Sequence, residues 1–396
     1  MATLTARVHG QTETWRDTKR YRYPLSLAVP LLPLIAWLGA TRTGSDVWWF
    51  AGPIWILLII PLLDLLVGAD HENAPDWAFD ELAADRYYRV LTYLFVPLQF
   101  AGLIGGAYLI AHGGLSPAAM IGLTLTVGAV GGIGIANAHE LGHKKGKGEK
   151  WLGKVVLAQT AYGHFEIEHN RGHHAWVATP RDPASSRFGE SFWLFLPRSV
   201  IGSAQAAWQL EKARFDRLGK SPWSIDNDVL NAWLLSVVLF GALVLVFGVG
   251  IVPFLIAQAV FGFSLLEVVN YLEHYGLLRQ QDDTGRYERC QPRHSWNSDH
   301  VVSNVFLYGL ERHSDHHANP TRRFQTLRTF DEAPQLPSGY GGMIALAYIP
   351  PLWRKVMDQR VLALYDGDVT KTNIDPRKRE RVLARYGAGP ASHNAR

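Results

Sequence analysis

His313-Ser314-Asp315-His316-His317 repeats, in shorter form, a device used twice earlier in the chain. The earlier copies are His139-Glu140-Leu141-Gly142-His143 and His169-Asn170-Arg171-Gly172-His173-His174, and Glu273-His274 adds one more imidazole. The spacings are HxxxH, HxxxHH and HxxHH. Together these stretches hold nine of the sixteen histidines. On a helix, residues three or four apart share a face, so each cluster can aim two or three imidazoles at one spot. Neutral imidazole is the commonest metal ligand. One tetrahedral zinc needs four ligands; nine suit two metals with positions left open for a small molecule. No cysteine lies beside the clusters, and imidazole suits Zn, Cu, Fe and Ni alike, so spacing alone does not name the metal. The plain alternative, that each histidine is a surface or capping residue, must explain three clusters at once.

Working outward, the chain of 396 residues is 48% hydrophobic with 14 Trp. Its apolar residues fall into blocks near the ~20 residues that cross a bilayer. These blocks are about 24–40, Val47 to Val67, 90–112, 117–138, 229–248 and 251–272. Trp48 and Trp49 open the second block as expected interface anchors. Asp64 near its end is costly in lipid and is expected to face inward. The fourth block is rich in Gly and Ala, which lets membrane helices approach closely. Between the blocks, residues 144–228 read as a long polar segment. Part of it, 192–218, suits either a helix lying in the interface or an ordinary soluble helix. The stretch Met343 to Leu352 is too short and proline-bearing to span, and the last twenty-odd residues read as disordered.

Net charge is +4 and the pI about 9.0. The basic residues lie between the apolar blocks, so they read as membrane topology rather than as a nucleic-acid surface. Six spans place the N-terminus, the 68–89 loop, the 144–228 segment and the C-terminal region on one side. Nearly all Lys and Arg are there, which assigns that side, and all nine histidines, to the cytoplasm. The single cysteine, Cys290, excludes an internal disulfide and a cysteine-ligated iron domain. No cleaved signal peptide is expected, because a short apolar core followed by a small-residue cleavage site is lacking.

Three histidine boxes in a six-span protein resemble the integral-membrane di-iron oxygenases, and within them the alkane 1-monooxygenases. The matching segments are His139 to Lys144, Glu168 to His174, Asn270-Tyr271-Leu272-Glu273-His274-Tyr275-Gly276-Leu277 and Leu310 to His317, with Pro334 to Tyr340 also fitting. Glu311 stands where Gln is commoner. The resemblance covers roughly residues 20–355. It implies an all-α, six-transmembrane-helix bundle with a cytoplasmic histidine-rich cap holding a di-iron site. The segments are then a cytoplasmic N-terminal stretch (1–23), the membrane oxygenase domain with its cap (24–355) and a polar tail (356–396).

By the same resemblance the iron ligands are His139, His143, His169, His173, His174, His274, His313, His316 and His317. The oxidant is O2, the substrate a linear alkane hydroxylated at its terminus, and the electron donor a separate rubredoxin with its reductase behind it. The location is a bacterial-type inner membrane. Nine imidazoles leave the iron charge uncompensated; Glu140, Glu168, Glu273 and Asp315, adjacent to ligands in sequence, are candidates to orient ligand N–H groups and offset it. In the family a bulky residue of the second span limits chain length, and Trp55 stands at the matching place; lipid-facing packing is its alternative. Lys144, Lys145, Lys147, Lys150, Arg322, Arg323 and Arg328 lie near the clusters and would attract an acidic donor, or else set membrane orientation. Three rivals remain. An HExxH zinc protease uses only two of the histidines, a desaturase or aromatic-methyl monooxygenase shares the scaffold, and a transporter would place its ionisable groups mid-span.

Overall fold

The computed structural model describes residues 3–387. The chain starts with an antiparallel hairpin, β1 (Thr3–Val8) and β2 (Gln11–Arg16), a departure from the all-helical expectation. Trp77 ties it to the protein body by donating from Nε1 to Glu13, 2.7 Å away.

The helices follow: α1 (Leu32–Thr43), α2 (Asp46–Val67), α3 (Arg86–His112), α4 (Pro117–Gly142), α5 (Lys147–Ala158), α6 (165–176), α7 (Phe192–Arg217), α8 (Asp228–Phe247) and α9 (Val252–His274). Five of them, α2, α3, α4, α8 and α9, are long and apolar enough to cross a membrane. The first expected span is instead a pair, Lys19–Ala28 and α1, bent by 57°. The bend coincides with Pro30, and Pro33 stands in the first turn of α1; proline lacks the N–H that a continuous helix needs.

At the centre, α4 packs along α9 at close range. A Cβ added to Gly128 would lie 2.7 Å from the Gln258 carbonyl oxygen, and one added to Gly132 would lie 2.8 Å from that of Gly262. Only glycine permits backbones to meet this closely. Of Trp48 and Trp49, Trp49 is buried, while Trp48 is exposed and rests its ring against Gly39. Asp64 does face inward. It accepts from the Val302 and Ser303 amides at 3.1 and 3.0 Å, capping α10 (Val301–Phe306).

The polar segment after α4 is not wholly outside the bundle. Helix α5 runs back along α4, and Gln159 at its end donates to the Val127 carbonyl at 3.2 Å. Val127 lies twelve residues, about 18 Å of helix, below His139. A helix that ends at this depth leaves carbonyls that water cannot reach, each costing several kcal/mol if unpaired. Glutamines serve them: Gln258 donates to the Gln159 carbonyl at 2.8 Å, and Gln99 to that of Val156 at 3.2 Å. The chain then turns and climbs through α6 to the histidines.

Beyond α9, α11 (His313–Ala318), α12 (Tyr340–Ala347) and α13 (Pro350–Ala363) build the cap. The apolar stretch 343–352 is divided between α12 and α13 and does not span. The tail expected to be disordered is ordered to Gly387: α14 (Arg379–Tyr386) is anchored by the Tyr386 hydroxyl on Asp358, 2.9 Å away. Residues 388–396 lie outside the described residues. Helix α7 buries Phe192, Phe195 and Phe215 while Trp193, Leu194 and Ile201 are exposed.

Candidate metal centre

Helix α9 ends on His274, α4 carries His139 in its last turn, and α6 and α11 deliver six of the other seven imidazoles. All nine converge, in two groups, as nine ligands for two metals require. His139, His143, His169, His174 and His316 form one; His173, His274, His313 and His317 form the other. Within each group the potential ligand atoms lie within 4.8 Å of one another. Each cluster brings two imidazoles to one group, but neighbours His173 and His174, and His316 and His317, part to different sites.

The local backbone explains the division. Residues His169–His173 form a π-helix. Its wider turn brings residues five apart onto one side, so His169 joins His174, with their Nε2 atoms 3.2 Å apart. On α11 the i, i+4 pair His313 and His317 share a face, and their Nε2 atoms are 2.9 Å apart. His316, one step around the helix, meets His139 at 2.9 Å and His174 at 3.0 Å. The groups adjoin, with the His174 and His317 rings centred 4.6 Å apart.

Among the carboxylates, Asp182 was missed by sequence reasoning. Its Oδ2 lies 2.9 Å from His173 Nδ1, and Ser185 donates to the same oxygen at 2.6 Å. Of the four expected, Glu273 stands nearest the centre: Oε2 is 3.3 Å from His313 Nε2, and Oε1 accepts from the Tyr340 hydroxyl at 3.0 Å. Glu311, the unusual residue, receives the Tyr340 amide at 2.6 Å and so holds that tyrosine. Glu168 is buried with Oε1 unpartnered; burial, with Asp182 and Glu267 nearby, holds its carboxyl well above the usual range. Glu140 instead pairs with Lys144 at 3.0 Å. Asp315 accepts from Arg322 at 2.6 and 2.8 Å and from the Arg328 amide at 2.9 Å.

The basic residues near the clusters are partly spent in the same way. Arg323 pairs with Glu149 at 3.0 Å and Arg328 with Asp76. Lys145, Lys147 and Lys150 are exposed.

Beneath the histidines lies a narrow apolar cavity between α2, α4, α9 and the cap. Ile56, Ile60, Ile133, Ala136, Val269 and Leu310 are on its wall. Trp55 stands beside it at the start of a π-helical turn, its ring edge-on to Phe306 with centroids 5.3 Å apart.

The fatty acid desaturase family pattern matches residues 115–347, the stretch that carries every histidine box. The alkane 1-monooxygenase 1 of Alcanivorax borkumensis is 45% identical over 96% of this chain and 94% of its own. The alkane 1-monooxygenase of Ectopseudomonas oleovorans is 44% identical over 98% and 97%. The chain belongs to the alkane 1-monooxygenase family. The hydroxylase component of a Pseudomonas putida xylene/toluene monooxygenase is more distant, at 28% identity over 93% and 94%.

The donor set fits two metal ions. Nitrogens each about 2.1 Å from one metal lie about 3.0–3.4 Å apart, and the closest pairs here are 2.9–3.2 Å. His143 Nε2 and His173 Nε2 are buried with no protein partner, as inward-facing ligand atoms would be. Burial first, then neighbouring imidazoles, pulls His143, His169, His174, His313, His316 and His317 well below the usual imidazole range. They are therefore neutral, the form that binds metal.

Proposed function

We propose that this protein hydroxylates the terminal carbon of linear alkanes, using O2 and electrons from rubredoxin at a di-iron centre held by its nine histidines. The observation that carries the reading is the apolar cavity directly below the two imidazole groups. Ala136 and Leu310 on its wall are three residues before His139 and His313, and Val269 is five before His274. A chain end in this slot would point at the metals, with branched side chains excluding water around it.

Two irons held there would supply the activation of O2. His139, His143, His169, His174 and His316 would hold one, and His173, His274, His313 and His317 the other. Asp182 fixes the His173 ring so that Nε2 faces inward. Glu273, braced by Tyr340, places negative charge beside the four-histidine group. Glu168 stands close enough to act in the same way, whereas Glu140 and Asp315 support the cap through Lys144 and Arg322. Trp55 limits chain length through its packing on Phe306, next to the cavity wall. The Lys and Arg bias supports an orientation with the metal centre on the cytoplasmic side, which suits an inner membrane. Turnover of a set of n-alkanes with rubredoxin and its reductase, read by gas chromatography, tests the reading. 1-Alkanols are the expected products. Products from xylene or a fatty acyl chain alone would overturn it.

A further inference from the structure

Two turns below His274, α9 carries an ionisable residue that the metal centre does not use. Glu267 is 1% exposed and lies within a helix long and apolar enough to cross a membrane. A carboxyl in such a place is costly and marks function by default. The Tyr162 hydroxyl, from the turn after α5, donates to its Oε1 at 2.7 Å, and Asn270 Nδ2 reaches the same oxygen at 3.5 Å. Oε2 and the buried Ser199 hydroxyl on neighbouring α7 bond no other side chain, and Ser199 is close enough to Glu267 to act on it as a donor. Arg198, beside Ser199, acts on Glu267 electrostatically, and its side chain is 21% exposed. On the metal side, Glu168 is near enough to Glu267 for the two carboxyls to interact electrostatically. Glu267, Asn270 and His274 stand at i, i+3 and i+7, one face of the helix.

We propose that Glu267 is a proton-relay residue, taking protons from the Arg198–Ser199 side of α7 and passing them past Asn270 toward the four-histidine group. The inference rests on the oxygenase reading, whose stoichiometry creates the need. A C–H bond and the O–O bond break and a C–O bond forms. One oxygen enters the alcohol; the other leaves as water, taking two protons, with the donor supplying two electrons. A site walled by Ile133, Val269 and Leu310 cannot draw those protons from the substrate side. From Glu267 to His274 the helix rises about 10.5 Å, a distance that a chain of about three waters at ~2.8 Å spacing would cover.

Glu267→Gln keeps size and the Tyr162 bond but cannot shuttle a proton. Tested in the full chain in membranes, it should retain wild-type iron per chain, thermal midpoint and alkane KM. Its kcat should fall by about a hundredfold, the usual scale of one positioned acid. Alcohol formed per electron consumed should drop, and the solvent deuterium effect on kcat should rise. Glu267→Asp should restore part of both. Tyr162→Phe separates the roles: a Glu267 that only anchors this tyrosine predicts stability lost in Tyr162→Phe but not in Glu267→Gln, with coupling unchanged in both. That result, or wild-type coupling and isotope effect in Glu267→Gln, would overturn the relay. Wild-type protein that oxygenates no substrate would instead remove the oxygenase reading beneath it.

Discussion

Asp182 Oδ2 accepts from His173 Nδ1 at 2.9 Å, with both side chains wholly buried. The bond fixes the tautomer, so that His173 presents Nε2 to the four-histidine group. Asp182→Asn preserves the shape and weakens the acceptor. Losses of about 10–100-fold in metal affinity accompany such changes, so iron per chain under chelator challenge should fall while the fold, read by circular dichroism, stays intact. Unchanged iron retention would make Asp182 a loop brace only.

The two imidazole groups differ in size, which gives neighbours different consequences. His317→Ala leaves its group with three imidazoles; His316→Ala leaves the other with four. Each loss also weakens binding of a metal to a site the unfolded chain does not preform. Metal analysis should find less iron in His317→Ala than in His316→Ala, with activity absent from both. The reverse order would contradict the division of α11 between two sites.

Much of the centre was legible because histidine spacing survives any packing detail. Its division was not, since the π-turn at His169–His173 has no spacing signature, and without it His174 would swing away from His169. Asp182 was hidden for another reason. It lies nine residues beyond His173, in a Pro-Arg-Asp-Pro loop that only tertiary folding returns to the ring. The inward helix α5 was masked by Lys147, Lys150 and Lys154, which make it read as polar; Lys154 is neutralised by Asp228 at 2.7 Å. The apolar blocks were found in place, but the prolines near the first turned one span into a bent pair.

Trp55 lies one residue from Ile56 on the cavity wall and packs on Phe306. Trp55→Ser removes the indole and frees Phe306 to move, so the longest alkane hydroxylated should lengthen by several carbons. Product profiles across a chain-length series check this. An active variant with an unchanged range would leave Trp55 as packing alone.

The basic residues divide into two classes that a donor would feel differently. Arg322 is committed to Asp315 through two short bonds, and Asp315 also caps the Arg328 amide on the strand of chain behind α11. Reversing Arg322 would leave a buried carboxylate without its partner, a cost of about 3–5 kcal/mol for a buried pair. The Arg322→Glu protein should therefore lose thermal stability and iron whatever the reductant. Lys145, Lys147 and Lys150 are exposed beside His143, on the first turn of α5 and just before it. An acidic rubredoxin would be steered by such charges, and the steering is screened over ~8 Å at physiological salt. Changing all three to Glu should raise the apparent KM for rubredoxin severalfold and flatten its salt dependence, leaving alkane KM and Tm unchanged. With a small-molecule reductant in place of rubredoxin, the triple variant should turn over at the wild-type rate. If it stays slow there too, these lysines serve the fold or the lipid surface, and the donor docks elsewhere.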